Sequence, residues 1–215
     1  MKRGLFIVFE GVDGSGTSTQ AHKLNEKIKK LDKYQDVLET HEPWKNGELK
    51  RKLQEDKDAY LEPLETAELY IGDRTDHSYV LIKPNLDAGV IVLCVRYKMS
   101  TYSFQQAQGL DIHRLIKMHN NRGILTPDVT FFIDVPKEVA EERTRKRGQL
   151  EKFEGNSEFV EKAIKNYGEL AILSEDNPEL LGRVVRIDGN RTIDEVAADI
   201  YLEFLKIYNE WINSD

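Results

Sequence analysis

The chain has a single cysteine, Cys94, so it forms no internal disulfide. A reducing compartment, the cytoplasm, is the expected location. That thiol lies in the apolar run "VIVLC", where burial as a small hydrophobe is its expected role. Nothing at the N-terminus resembles a signal peptide, and no apolar run approaches the ~18 residues of a membrane helix, so no membrane span is expected. Excess basic charge is absent too. The 31 Lys and Arg against 38 Asp and Glu leave a formal net charge of −7, which argues against a general nucleic-acid binder. An anionic small molecule stays compatible, because a basic pocket can sit inside an acidic protein. Repeats, low-complexity tracts and linkers are missing as well, and residues 1–215 read as a single domain.

What is present alternates between strand and helix. "GLFIVFE" is a short continuous apolar run of the kind found in a parallel strand covered on both faces. "STQAHKLNEKIKKL" follows, with Ala21, Leu24, Ile28 and Leu31 at helical spacing. "DVLETHE", "GVIVLCV", "DVTFFIDV" and "VVRID" read as further strands. A long helical region spans about Leu64 to Ala88 with a bend expected near Pro84. Pro136 opens a helix through "KEVAEERTRKRG", another covers Phe159 to Leu173, and Thr192 caps a final amphipathic helix. The pattern predicts an α/β fold with a three-layer, doubly wound, mostly parallel sheet.

Between the first strand and helix lies "FEGVDGSGTSTQ". A phosphate-binding loop has Gly, four residues, Gly, Lys, then Ser or Thr. Gly11, Gly16 and Ser18 fit, but the lysine position holds Thr17. Glycines let the backbone approach an anion, and the N–H groups of Gly11, Val12, Asp13, Gly14, Ser15, Gly16, Thr17, Ser18 and Thr19 can cradle phosphates. Ser18 can ligate Mg²⁺. What is missing is a point charge beside a transferring phosphoryl group. Arg143, Arg145 and Arg147 of "RTRKRG" are candidate substitutes; a solvated basic helix end is the alternative for them. A glycine-rich turn without a ligand is the alternative for the loop.

The loop, together with "GDR", "RY" followed by "STYSFQQAQG", and "PDVTFFIDVPKEVAEERTRKRG", resembles the thymidylate kinases from about Phe6 to Ile200. The resemblance implies a five-stranded parallel sheet with a short lid at about 145–156. It also implies transfer of the ATP γ-phosphoryl group to deoxythymidine monophosphate (dTMP) with Mg²⁺, serving dTTP biosynthesis. Residue roles follow position by position. Asp13 matches a carboxylate that meets the 3′-hydroxyl, and Tyr70 an aromatic that stacks on thymine. Arg74, one helical turn on, matches the arginine that hydrogen-bonds the base; a surface ion pair with Asp73 is its alternative. Arg96 corresponds to the grip on the acceptor phosphate, Arg51 to a second grip, and Thr101, Phe104 and Gln105 to the sugar and base side. A homodimer is implied, and the region from Leu64 to Ala88 offers a face for it.

The sequence departs from this family's pattern at Thr17, at Val95, where an acid is usual before Arg-Tyr, and at His41, where many members have arginine. The lost lysine leaves the lid as the expected source of a catalytic arginine, with "GQLEKFEGNSEF" as the mobile segment between Gly148 and Gly155. Two further readings stay open: a kinase of this fold with another acceptor, and a nucleotide binder with impaired turnover.

Overall fold

The computed structural model describes residues 2–55, 62–148 and 157–214. Its strands are β1 (Phe6–Glu10), β2 (Val37–His41), β3 (Ile91–Val95), β4 (Val129–Asp134) and β5 (Arg183–Asp188). The helices are α1 (Thr17–Leu31), α2 (Gly47–Glu55), α3 (Pro63–Asp76), α4 (Lys83–Asp87), α5 (Lys98–Ala107), α6 (Ile112–Asn120), α7 (Lys137–Arg147), α8 (Ser157–Glu175), α9 (Pro178–Leu181) and α10 (Ile193–Asn213). The strands form one five-stranded sheet in the order β2-β3-β1-β4-β5, and every pairing is parallel.

β1 is central and all its residues are buried, which explains its unbroken apolar sequence. Alternation along the strand sends Ile7 and Phe9 to the face covered by α1 and α10, beside Leu93 and Phe131. Phe6 and Val8 point the other way, onto Val92, Cys94 and Tyr97. Glu10 continues that second row, so the fold places a carboxylate at the end of an apolar line and buries it completely. The second face carries α5 and α8, tied together by Ser103 Oγ donating to Ala163 O (2.7 Å) and Asn166 Nδ2 donating to Ser103 O (2.9 Å).

Two helical expectations meet their structure differently. Thr192 caps α10 in a reciprocal box: its Oγ1 accepts from Glu195 N (3.3 Å), and Glu195 Oε2 accepts from Thr192 N (2.9 Å). The long region ending at Ala88 leaves α geometry earlier than Pro84. α3 passes into a π-helical turn over His77–Ile82, where Lys83 N donates back to Ser78 O, before α4 begins. The wide turn puts both His77 and Ser78 inside, and Ser78 Oγ meets Tyr97 Oη at 2.7 Å. Pro84 lies just past the wide turn, inside an unbroken run of helical backbone.

Because all strands are parallel, the loops after β1, β2, β3, β4 and β5 gather at one edge of the sheet. Ligands of open α/β sheets bind there.

Candidate active site

The phosphate loop lies between β1 and α1. Gly14 has φ +81°, and a Cβ there would stand 2.5 Å from Ala140 O of α7, so the loop packs too closely for any side chain. Gly16, at φ +96°, is the residue before α1, and no side chain caps that helix. The first helical N–H groups thus lack side-chain acceptors, as an anion site requires. Ser15 Oγ is buried without a partner among the described residues. Thr17 is buried at the start of α1, whereas Ser18 and Thr19 are exposed.

Arg96 follows β3 directly and is the only described non-glycine residue with a positive φ, +68°. A left-handed backbone at a bulky residue is unfavourable by roughly 1–2 kcal/mol, so its contacts must hold it there. Its N–H donates to Phe9 O (2.9 Å), and its side chain reaches back across the loop. Nη1 donates to Gly11 O (2.5 Å) and Tyr167 Oη (3.2 Å), and Nη2 pairs with Asp13. The guanidinium also lies 5.5 Å from the centre of the Phe104 ring. Burial alone would lower the Arg96 pKa; the charge of Asp13, the Tyr167 hydroxyl and the charge of Glu10 outweigh it and raise the value.

Glu10 stands behind Arg96. Its Oε1 accepts from Tyr97 N (2.7 Å) and Ser100 N (3.1 Å), and its Oε2 from Ser100 Oγ (2.5 Å) and Tyr167 Oη (3.2 Å). Burial pushes the carboxyl pKa up, against the opposing pull of Ser100 and Arg96. Sequence reasoning attached no role to Glu10 or Tyr167. The signal available for Glu10 was an acid ending a continuously apolar strand.

Arg74 is the centre of a second cluster and is only 1% exposed. Nε and Nη2 contact Glu42 Oε2 (2.7 and 2.6 Å), while Nη1 donates to Thr101 Oγ1 (3.0 Å) and His119 Nε2 (2.8 Å). Nε–H, both Nη1 hydrogens and one on Nη2 are thereby engaged. His119 Nδ1 donates to Leu115 O (2.8 Å), which leaves Nε2 as the acceptor. Burial, and then the charge of Arg74, hold the His119 pKa well below the ordinary value, so the ring is neutral. The surface ion pair of Arg74 with Asp73 considered from sequence does not form. Asp73 instead accepts N–H groups of Lys45 (2.8 Å) and Asn46 (2.7 Å), fixing the turn after β2.

The other expected site residues divide. Thr101 joins Arg74, and Tyr70 is half-buried one turn before Arg74 on α3. Phe104 packs beside Arg96, and Gln105 is buried with Oε1 unpartnered among the described residues. His41 ends β2 exposed, and it is the neighbouring Glu42 that turns inward. Arg51 is exposed on α2, while Lys52 is buried and pairs with Glu62 and Glu65. Arg143 donates to Gly189 O (3.0 Å) and Arg191 O (3.4 Å), with Gly14 O at 3.5 Å, bridging two loops through carbonyls. Arg145 and Arg147 are exposed in the last turn of α7. Residues 149–156 of the expected 145–156 lid, including Gly155, lie outside the described residues. Lys98, another conceivable cation, opens α5, is buried, and donates to Thr126 Oγ1 (3.2 Å) of the segment before β4.

No group of three or more His, Cys, Asp or Glu among the described residues is placed to hold a metal. Val95 is apolar and Glu10 is turned inward on four donors. This donor set fits a Mg²⁺ ion carried in on nucleotide phosphates and met by Ser18, rather than a resident metal. No described helix is long and apolar enough to cross a membrane.

Comparison with known proteins gives one consistent answer. A family model described as "Thymidylate kinase" matches residues 9–200. The chain is 37% identical to a thymidylate kinase of Trichodesmium erythraeum, with 97% of this chain and 98% of the relative covered. It is 32% identical to a thymidylate kinase of Mycoplasma mobile, covering 94% of this chain and 99% of the other. A probable thymidylate kinase of Thermococcus onnurineus is 36% identical, with 91% and 95% covered. With its phosphate loop, its arginine after β3 and this match over most of its length, the chain belongs to the thymidylate kinase family.

Proposed function

We propose that the protein transfers the γ-phosphoryl group of ATP to dTMP, giving ADP and dTDP. The observation that carries this reading is the position of Arg96, which lies across the phosphate loop at Gly11 and Asp13 and beside Phe104. In this reading the loop N–H groups and Ser15 hold the donor phosphates, and Arg96 holds the acceptor phosphate through its planar fork. Asp13, released from Arg96, meets the sugar 3′-hydroxyl. Tyr70, Arg74, Thr101 and Gln105 face the base, with the remaining Nη2 hydrogen of Arg74 available to a carbonyl. Mg²⁺, bound through Ser18 and the nucleotide, supplies charge neutralisation on the transferring phosphoryl group. His41 and Arg51, both exposed, serve the acceptor side only as outer contacts.

The charge absent at Thr17 comes from the end of α7. Arg143 steadies the loop through carbonyls, and Arg145 and Arg147, exposed in the last turn of α7, are the residues assigned to meet the phosphoryl group. The chain acts as a single domain in the cytoplasm and forms a homodimer. Tyr79 and Val80, exposed on the π-helical turn, support the region from Leu64 to Ala88 as the contact face. A monomeric mass at micromolar concentration removes the dimer.

The test is ADP formation with Mg²⁺ and a panel of nucleoside monophosphates. Turnover is expected with dTMP and must fall in Arg96→Ala by at least ~2 kcal/mol in transition-state terms. No turnover of dTMP by folded protein rejects the reading, and turnover only with another acceptor replaces the base assignment.

A further inference from the structure

We infer that Tyr167 is a positioning residue for Arg96, holding the guanidinium from α8 through a hydroxyl shared with Glu10 and Ser100. This rests on the reading of Arg96 as the acceptor grip. Two of the three groups on Arg96, Gly11 O and Asp13, belong to the phosphate loop. In the proposed complex Asp13 turns to the sugar, so the loop side of the hold weakens when acceptor arrives. Tyr167 does not move with the loop. Its ring stacks on Phe132 of β4 at 5.4 Å and 9°, and meets Phe104 edge-on at 6.1 Å and 89°. Its helix is tied to α5 through Ser103 at both Ala163 and Asn166.

The hydroxyl is oriented from behind. Ser100 Oγ lies 2.8 Å away and Glu10 Oε2 3.2 Å. Ser100 donates to Glu10, the Tyr167 proton goes to Ser100 or Glu10, and the phenolic oxygen is left to accept from Arg96 Nη1. The buried carboxylate thus helps orient the phenol that Arg96 donates to. Such an arrangement keeps the arginine charged and aimed while leaving its second nitrogen to the ligand.

Tyr167→Phe keeps both ring contacts and removes the hydroxyl alone. The expected result is a rise of about 10-fold in the KM for dTMP, the range for a hydrogen bond to a charged group, with the KM for ATP unchanged. In an Arg96→Lys background the same change should add nothing, because the partner is gone. Phe204→Leu, buried on the opposite face of the sheet, is the stability control and should lower the melting temperature without selectively raising the dTMP KM. A readout independent of turnover is the ¹⁵N–¹H signal of the Arg96 guanidinium, sharp and protected in the wild type and averaged by rotation in Tyr167→Phe. A wild-type KM in Tyr167→Phe, equal losses for both substrates, additivity with Arg96→Lys, or an unchanged Arg96 signal overturns the inference. Should wild-type protein fail to phosphorylate dTMP while the Arg96 signal still responds to Tyr167→Phe, it is the function that is wrong and the positioning that stands.

Discussion

Around Arg74 the chain provides a counter-charge, a neutral histidine, a hydroxyl and an aromatic ring for one guanidinium, and closes water out. Around the phosphate loop it provides bare N–H groups, a buried hydroxyl with no described partner and no lysine. The first cluster has all but one Nη2 hydrogen of its guanidinium engaged before any ligand binds, whereas the second, in the proposed function, is completed by the ligand. Arg96 belongs to both kinds, held from behind by Tyr167 and in front by loop groups that, in the proposed function, a substrate replaces. The difference predicts where a substitution is read as lost stability and where as lost rate.

The largest effect is expected where the complete cluster is broken. Glu42→Ala leaves Arg74 charged and buried without its carboxylate and should destabilise the fold by about 3–5 kcal/mol. Denaturant unfolding measures it, with Glu42→Ala/Arg74→Met recovering part of the loss. A loss under ~1 kcal/mol would mean that the cluster is not closed to water, and the contrast between the two regions fails.

Next comes the incomplete end. Alanine at Arg145 or at Arg147 should reduce the single-turnover rate about 10³-fold at one of the two, as for an arginine acting on a transferring phosphoryl group, with stability unchanged. Arg143→Ala should do the reverse, lowering the melting temperature and ATP affinity through its lost carbonyl bridges. If Arg143 alone carries the rate loss, the division between bridge and phosphoryl contact is wrong.

Much of the fold was legible because burial on both faces writes itself into continuous apolar runs, as in β1, β3 and β4. The loop was legible from its glycines, and Arg96 from its place straight after a buried strand. The partners were not. Arg74 meets Glu42 across 32 residues and His119 across 45, and Tyr167 reaches Arg96 across 71 and Glu10 across 157. Such pairings depend on sheet order and on helix packing, which local periodicity does not encode. The same blindness made a surface ion pair with Asp73 the alternative considered for Arg74, since adjacency in sequence is visible and burial of the turn after β2 is not.

A smaller effect sharpens the contrast from an unexpected side. Lys98 is buried beside the Arg74 cluster with a hydroxyl as its partner, and burial, then Arg74, lower its pKa from 10.5 to about 8. A lowered folded pKa means that the unfolded chain binds more protons between about pH 8 and 10.5, so stability should rise through that window. Below it the penalty is fully present, on the order of 3 kcal/mol. Lys98→Met should therefore stabilise the protein at neutral pH, with the gain fading as pH rises past 8. A gain independent of pH would assign it to packing instead.

The smallest expected change is at Thr17. Lysine placed there restores a cation to the loop, but position 17 opens α1 with its present side chain buried, so the longer chain must leave by the loop mouth to reach a phosphate. If α7 supplies an arginine, as proposed, a second cation adds mainly ground-state binding. ATP affinity should rise more than the rate, and the rate by only a few-fold, on the order of 1 kcal/mol or less. In whichever of Arg145→Ala and Arg147→Ala loses turnover, Thr17→Lys should recover a larger factor, because there it replaces the missing charge. A rise near 10³-fold in the otherwise native chain would show that no arginine completes the loop. A fall in both backgrounds would show that the loop directs position 17 away from the phosphates, and that its anion site works through backbone N–H groups alone.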